Sequence, residues 1–471
     1  MGEKRTRDSG KVQGFAPRAL RLTWPRPLRE KHPVDLFRDP NIDALERERL
    51  WPRVWQMACR EAELTAAGDY VVYEICDDSI LIVRTGPGPD DLAAMYNVCQ
   101  HRGRKLCDGP RGRIGKMIHC RFHGWQYAPT GELVHVHFED DFRGCPAFDK
   151  GALGLPRVRL ARWGGWIWIH QDPNAEPLME WLGDVPRFLD PFAPETMRPV
   201  WWKTIVAPAN WKVLVGAFIE AYHAGATHLT GINYRSARVP ALVFGPHSMI
   251  YGEPGPFTEY KTGDGTWVTP KSLQENMWAN FTHLGRSIGA MTLEPGMAAY
   301  ERLRALPDDA TVDTVMTKLF EYHRDEMDKR GIAWPEGLTL ETWAAAGLDW
   351  HVFPNSIVLP TFDGALWYRM RPHADDRDRC IVDIWAFGRF APGKEPVVEQ
   401  QLFDGFEAFR GQCEFLEEDF GNIEAVNRGV KSRGFRGLNL NPVQEGGVVH
   451  FHDLIERYLR GDAASARPIG F

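Results

Sequence analysis

The chain lacks the features that would place it in a membrane, a fibre or a nucleic-acid complex. Nowhere in its 471 residues does an uninterrupted apolar run approach the ~18 residues needed to span a bilayer. There is no internal repeat and no low-complexity tract, which excludes collagenous and repeat-fibre architectures. Basic residues are not in excess: 56 Lys and Arg against 63 Asp and Glu leave a net charge of −7, with no electrostatic footprint for nucleic acid. The first residues, MGEKRTRDSGKVQGF, have no apolar core of the secretory type, so a cytoplasmic protein is expected. Met1-Gly2 with Thr6 matches a myristoylation pattern, but no second anchor accompanies it. Cysteine is sparse, at eight positions, and in that setting the thiols should be reduced or metal-bound and not disulfides. Aromatics, in contrast, are plentiful, with 18 Trp and 25 Phe, which suits large apolar pockets and a well-filled core equally.

The length suggests two or three domains. Residues 1–50 are rich in Arg and Pro and read as an extended arm leading into a helix over Ile42–Trp55. From Gly68 the pattern has period two: Tyr70–Ile75 and Ser79–Arg84 form a hairpin around Asp77-Asp78. Short apolar runs follow at Ala94–Cys99, Lys116–Cys120, Trp125–Tyr127 and Trp166–His170, so 51–172 is expected to be a small all-β domain. Over 173–471 longer mixed segments predict an α+β domain. Its helices are expected at Trp211–His223, Val312–Lys329 (capped by Asp308 or Asp309), Glu399–Arg428 and His452–Arg460. Strands are expected at Ser356–Leu359, Leu366–Arg371 and Arg379–Phe387.

In the β domain, Cys99-Gln100-His101 and Cys120-Arg121-Phe122-His123 form two Cys/His pairs. Two facing loops of this kind supply the four ligands of a metal site. The set suits zinc, or a two-iron cluster with two thiolates on one iron and two imidazoles on the other. The order Cys-His-Cys-His, one ligand of each kind per loop, favours the cluster. Cys99-x-His101-Arg102-Gly103 followed by Cys120-x-x-His123-Gly124-Trp125 resembles the Rieske motif of the ring-hydroxylating oxygenases, and the intervening GPRGRIG fits as well. Respiratory Rieske proteins carry an extra Cys in each loop; Phe122 stands at that position here, so the resemblance is to the oxygenase type.

A second constellation follows in Glu220, His223 and His228. On a helix Glu220 and His223 share a face, whereas His223 and His228 lie about 140° apart, so the helix must distort, and Gly225 offers a place. Two His and one carboxylate make the facial triad of mononuclear Fe(II). The stretch NWKVLVGAFIEAYHAGATH resembles the iron-binding segment of Rieske oxygenase α subunits, which implies that His223 and His228 are ligands. Glu220 then takes the place of the family's bridging acid, which accepts a hydrogen bond from His223 and reaches His123 of a neighbouring subunit. Gly216-Ala217 stand where many members have Asn. The run Glu417–Glu424 resembles the family's C-terminal segment and puts Asp419 at the third ligand position, with Asp363 as the alternative.

The resemblance, over about Trp51–Leu459, implies an N-terminal all-β Rieske [2Fe-2S] domain and a C-terminal α+β helix-grip domain, an antiparallel sheet with helices. It implies a Rieske cluster, mononuclear Fe(II) and dioxygen activation. Without a GxGxxG at a strand–helix junction or spare cysteines for a plant-type cluster, the chain should depend on a separate flavin reductase, a ferredoxin or both. A homotrimer is implied, with β subunits as an option. The substrate is expected to be aromatic or similarly apolar, with cis-dihydroxylation ahead of monohydroxylation or N/O-demethylation. A Rieske electron carrier without catalytic iron is the reading of another class. Phe218, Leu229, Leu242, Phe244 and Leu359 are candidates for the pocket, and Trp267, Trp278 and Phe281, in the segment 254–350 expected to cover it, for its entrance.

Overall fold

A computed structural model describes residues 34–228, 239–251, 260–261 and 266–461. Leu229 lies outside them, as does the side chain of Trp267. The first sheet is antiparallel and has seven strands, in the spatial order Gln56–Arg60, Trp166–His170, Arg157–Trp163, Leu92–Tyr96, Asp78–Arg84, Asp69–Ile75 and Arg111–Arg113. The predicted hairpin forms, with its two-residue turn at Cys76-Asp77, one position earlier than expected. Between the fifth and sixth of these strands in chain order, a three-stranded sheet of Ile118–His119, Gln126–Tyr127 and Leu133–His135 carries the second Cys/His loop at its tip.

The second sheet has eight strands: Ala241–Phe244, His247–Ile250, Asp349–Val352, Ser356–Pro360, Gly364–Pro372, Cys380–Gly388, Arg198–Ala207 and Gln400–Phe403 in spatial order. Only the last pairing is parallel. The helices Trp211–Phe218, Glu414–Gly429 and Gly446–Arg460 pack on one another and on one face of this sheet. Most of the tryptophan resides in the core and not in a pocket. Trp166 of the first sheet packs 4.8 Å from Trp385 and 5.4 Å from Trp367 of the second. Arg369 ties the same junction, donating to Asp383 Oδ2 at 2.7 Å and to the Met57 carbonyl at 2.8 Å.

Several helices differ from expectation, the first two at a backbone breaker. The helix predicted to reach Trp55 ends at Arg49, because Pro52 has no N–H for an α-helical ladder and the chain tightens to a 3₁₀ turn at Trp51–Arg53. The helix predicted from Glu399 starts only at Glu414. Gln400–Phe403 is a strand, and Gly405 and Gly411, both at positive φ, separate it from the helix. The last helix begins at Gly446 and not at His452. Val312–Lys329 forms as expected, but Thr311 caps it, accepting from the Thr314 N–H.

Candidate metal centres

The two Cys/His loops have one design. In the first, Gly103 N–H donates to the Cys99 carbonyl at 2.9 Å; in the second, Gly124 N–H donates to the Cys120 carbonyl at 3.0 Å. Both glycines close the turn at positive φ, 73° and 71°, where a side chain would be strained. Each loop thereby turns its Cys and His to one side. The His101 and His123 rings meet at 4.4 Å, and Trp125 stacks on His101 at 4.9 Å. Cys99 and Cys120 are buried and form no disulfide. The Nδ1 atoms of His101 and His123 are buried with no hydrogen-bond partner among the described residues. Two orphaned imidazole nitrogens beside two buried thiols are costly unless something binds them, and a cluster with mixed thiolate and imidazole ligands fits. Burial, then the neighbouring His123 and Arg102, holds His101 below its ordinary pKa, so the ring is neutral and able to ligate. Tyr127 completes the site: its hydroxyl accepts from Gln100 N–H at 3.0 Å and lies 3.3 Å from Cys99 Sγ, to which it can donate its own proton.

The second centre forms where a helix stops. Asn210 caps the helix Trp211–Phe218, and the helix ends before Glu220, not at Gly225; a short turn, Ala224–Thr227, follows. Glu220 is therefore not helical, and it meets His223 through a turn. Its Oε2 accepts from the backbone N–H of His223 at 3.1 Å and from that of Tyr222, while Oε1 accepts from His223 Nδ1 at 2.7 Å. His223 Nε2 faces Asp419 Oδ1 at 3.4 Å, and His228 Nε2 faces the same oxygen at 3.3 Å. The far nitrogen of His228, Nδ1, lies 3.0 Å from Glu418 Oε2, and Phe415 stacks on the ring at 4.1 Å. The structure thus brings His223, His228 and Asp419 together, with ligand-capable atoms within 4.8 Å of one another.

Both imidazoles give Nδ1 to a carboxylate and turn Nε2 inward, an arrangement that fixes tautomer and ring orientation for a metal. Burial lowers the pKa of His223, but hydrogen bonds to Asp419 and Glu220 outweigh it and raise the group to about 10. The same negative surroundings attract a divalent cation. Asp363 belongs elsewhere: its Oδ2 accepts from Leu293 N–H at 2.9 Å, and burial pushes its carboxyl up to about 7. A cleft of about 280 Å³ opens beside Glu220, His223 and Asp419, lined by apolar side chains such as Ala217, Ile423 and Val448.

Of the pocket candidates, Phe218 packs on Tyr368 and Phe420 beside Asp419, whereas Phe244 is core against Phe188 and Trp350. Leu242 is buried and Leu359 half-buried, both packed into the same core. Trp278 and Phe281 pack within the helical layer, Trp278 donating to Glu301 and Phe281 stacking on Tyr300. Glu418 and Tyr127 escaped the sequence reading. Glu418 is masked by an acidic run, and the position of Tyr127 follows only from the loop geometry.

Two family models match the chain: the Rieske [2Fe-2S] domain over residues 54–146, and the ring hydroxylating alpha subunit (catalytic domain) over residues 194–461. The carnitine monooxygenase oxygenase subunit of Escherichia coli (strain K12) is 33% identical over 443 residues, 91% of this chain and 93% of the relative. The large oxygenase component of the naphthalene 1,2-dioxygenase system of Pseudomonas putida is 32% identical over 423 residues, 88% and 82% respectively. Two solved structures share the fold. A quaternary ammonium Rieske monooxygenase in complex with L-carnitine superposes with a TM-score of 0.59 at 18% identity, covering 91% of this chain and 95% of that one. Naphthalene 1,2-dioxygenase with indole bound gives 0.58 at 19% identity, with 92% of each chain covered. The chain belongs to the ring-hydroxylating oxygenase α-subunit family, and is a Rieske-type oxygenase whose cofactors are a [2Fe-2S] cluster and mononuclear iron.

Proposed function

We propose that this chain is the terminal oxygenase that hydroxylates a carbon next to the nitrogen of a quaternary ammonium or other N-alkyl compound. The observation that carries the oxygenase reading is the convergence of His223 and His228 Nε2 on one oxygen of Asp419, with both Nδ1 atoms engaged by carboxylates. In this reading Cys99, His101, Cys120 and His123 hold the cluster, and His223, His228 and Asp419 hold the iron. When bound, the two centres supply the electrons and the redox chemistry that activate dioxygen. A separate reductase, a ferredoxin or both feed the cluster.

Glu220 orients His223 and serves as the bridge to His123 of the partner subunit, in a cytoplasmic homotrimer. Support for an intermolecular contact comes from the aromatics flanking each group: Phe122 beside His123 is 55% exposed, and Tyr222 beside Glu220 is 56% exposed. Among the described residues no helix is long and apolar enough to cross a membrane.

The relative that acts on carnitine matches along nearly its whole length, which supports the N-alkyl monooxygenase over the arene dihydroxylation expected first. The test is iron and sulfide analysis with EPR of the reduced protein, followed by turnover with a borrowed reductase. Three irons and two sulfides per chain are expected, with oxygen-dependent conversion of carnitine or choline to an amine and an aldehyde. A cis-dihydrodiol from naphthalene with no ammonium turnover would restore the arene reading. Two irons per chain after iron-replete expression would leave only an electron carrier.

A further inference from the structure

Asp349 is a buried carboxyl that the metal centres do not use. It is 8% exposed, and its Oδ1 has no hydrogen-bond partner among the described residues. Burial raises its carboxyl well above the ordinary range, and among the described residues no cation offsets that effect. A carboxyl stranded in a strand interior costs stability that Val would avoid, which marks it as a group kept for a ligand.

The sheet register tells which way it points. Successive residues of a strand alternate between faces. Two residues on, His351 meets Phe451 of the helix Gly446–Arg460 at 5.3 Å, so His351 and Asp349 face the helical layer. His351 stands opposite Ile357, and Ile357 opposite Tyr368, so Tyr368 shares that face. Tyr368 packs on Phe218, and Phe218 on Phe420, the neighbour of Asp419. Burial raises the Tyr368 hydroxyl first, but it also feels Asp419 and Asp349. Asp349 therefore lies on the face of the sheet that carries Tyr368 and looks toward the metal-capable triad.

We infer that Asp349 is a specificity-determining residue that binds the cationic nitrogen of the substrate, holding its alkyl carbons toward the His223–His228–Asp419 centre. The inference rests on the ammonium-substrate reading above. A tetraalkylammonium has no N–H and cannot form a directional hydrogen bond. It therefore needs a charge of opposite sign together with aromatic faces: Asp349, which releases its proton to solvent as the cation enters, supplies the charge, and Tyr368 and Phe218 supply the faces.

The experiment measures binding to the metal-loaded enzyme of choline and of its uncharged isostere 3,3-dimethylbutanol, in wild type and in Asp349→Asn. Wild type should favour choline by about tenfold or more, and Asp349→Asn should lose most of that preference while retaining its cluster spectrum and iron. A choline preference unchanged in Asp349→Asn overturns the role of Asp349 and leaves the ammonium reading intact. Wild type with no preference for choline overturns both. Crystals of the wild-type holoenzyme soaked in tetramethylarsonium give an answer independent of any variant. An arsenic anomalous peak within about 6 Å of the Asp349 carboxyl is expected, and a peak confined to other sites overturns the inference.

Discussion

Glu418 and Asp419 are neighbours in one helix, yet they engage opposite nitrogens of His228: Glu418 Oε2 is 3.0 Å from Nδ1, and Asp419 Oδ1 is 3.3 Å from Nε2. The imidazole is clamped between two consecutive carboxylates, so the helix Glu414–Gly429 fixes the orientation of the ring from both sides.

Glu418→Ala should therefore weaken the iron site without removing a ligand. Iron affinity at that site should fall roughly 10- to 100-fold, as for other partners of metal-bound histidines, with the cluster unchanged. Iron retention during chelator challenge is the measurement, and wild-type retention would show that the 3.0 Å contact is dispensable.

Glu220→Gln keeps an acceptor for the His223 ring but removes the charge on which the proposed bridge depends. Both metals should stay bound, and electron transfer from the cluster to the iron, followed in a single turnover, should slow by about tenfold or more. Turnover at the wild-type rate would remove Glu220 from the path. Asp419→Ala should lose the mononuclear iron and retain the brown colour.

Tyr127→Phe should lower the reduction potential of the cluster. A hydroxyl that donates to Cys99 Sγ across this 3.3 Å contact would stabilise the reduced, more negative cluster. Losing a hydrogen bond of ~1 kcal/mol corresponds to a shift on the order of 40 mV for one electron. Redox titration reads it directly; an unchanged potential would mean that the proton points elsewhere.

Asp363 predicts a pH dependence of stability. Burial raises its folded pKa to about 7 from an ordinary 3.8, so the folded state binds the proton more tightly than the unfolded state. Its contribution is complete below the ordinary value and is lost as the pH rises through about 7. The thermal midpoint of the catalytic domain should decline by several degrees across that window, and Asp363→Asn should flatten the decline. An equal slope in both proteins would assign the effect to other groups.

The sequence made the local parts legible. A Cys and a His on one short loop, closed four residues after the Cys by a glycine at positive φ, can be recognised because all the required groups lie within one turn of chain. His223 and His228 were visible for the same reason, although the helix ends before Glu220 and not at Gly225, since side-chain capping and burial decide where a marginal helix stops. Glu399–Arg428 misread because its apolar spacing suits a helix, while the gain from pairing with Arg198–Ala207 makes its first part a strand.

Asp419 could be assigned only through a family resemblance, because nothing local distinguishes it from Glu417, Glu418 or Glu424 on the same helix. Glu418, Tyr127 and Asp349 left no local signal at all. Their roles arise from chain crossings: 190 residues separate Glu418 from His228, and 28 separate Tyr127 from Cys99. By itself, then, the sequence determined which residues are able to ligate and which loops are able to turn. The tertiary structure decided which carboxylates face an imidazole and which, like Asp349 at its Oδ1, have no partner among the described residues, because a carboxyl acquires its role from the charges, donors and burial that packing brings to it.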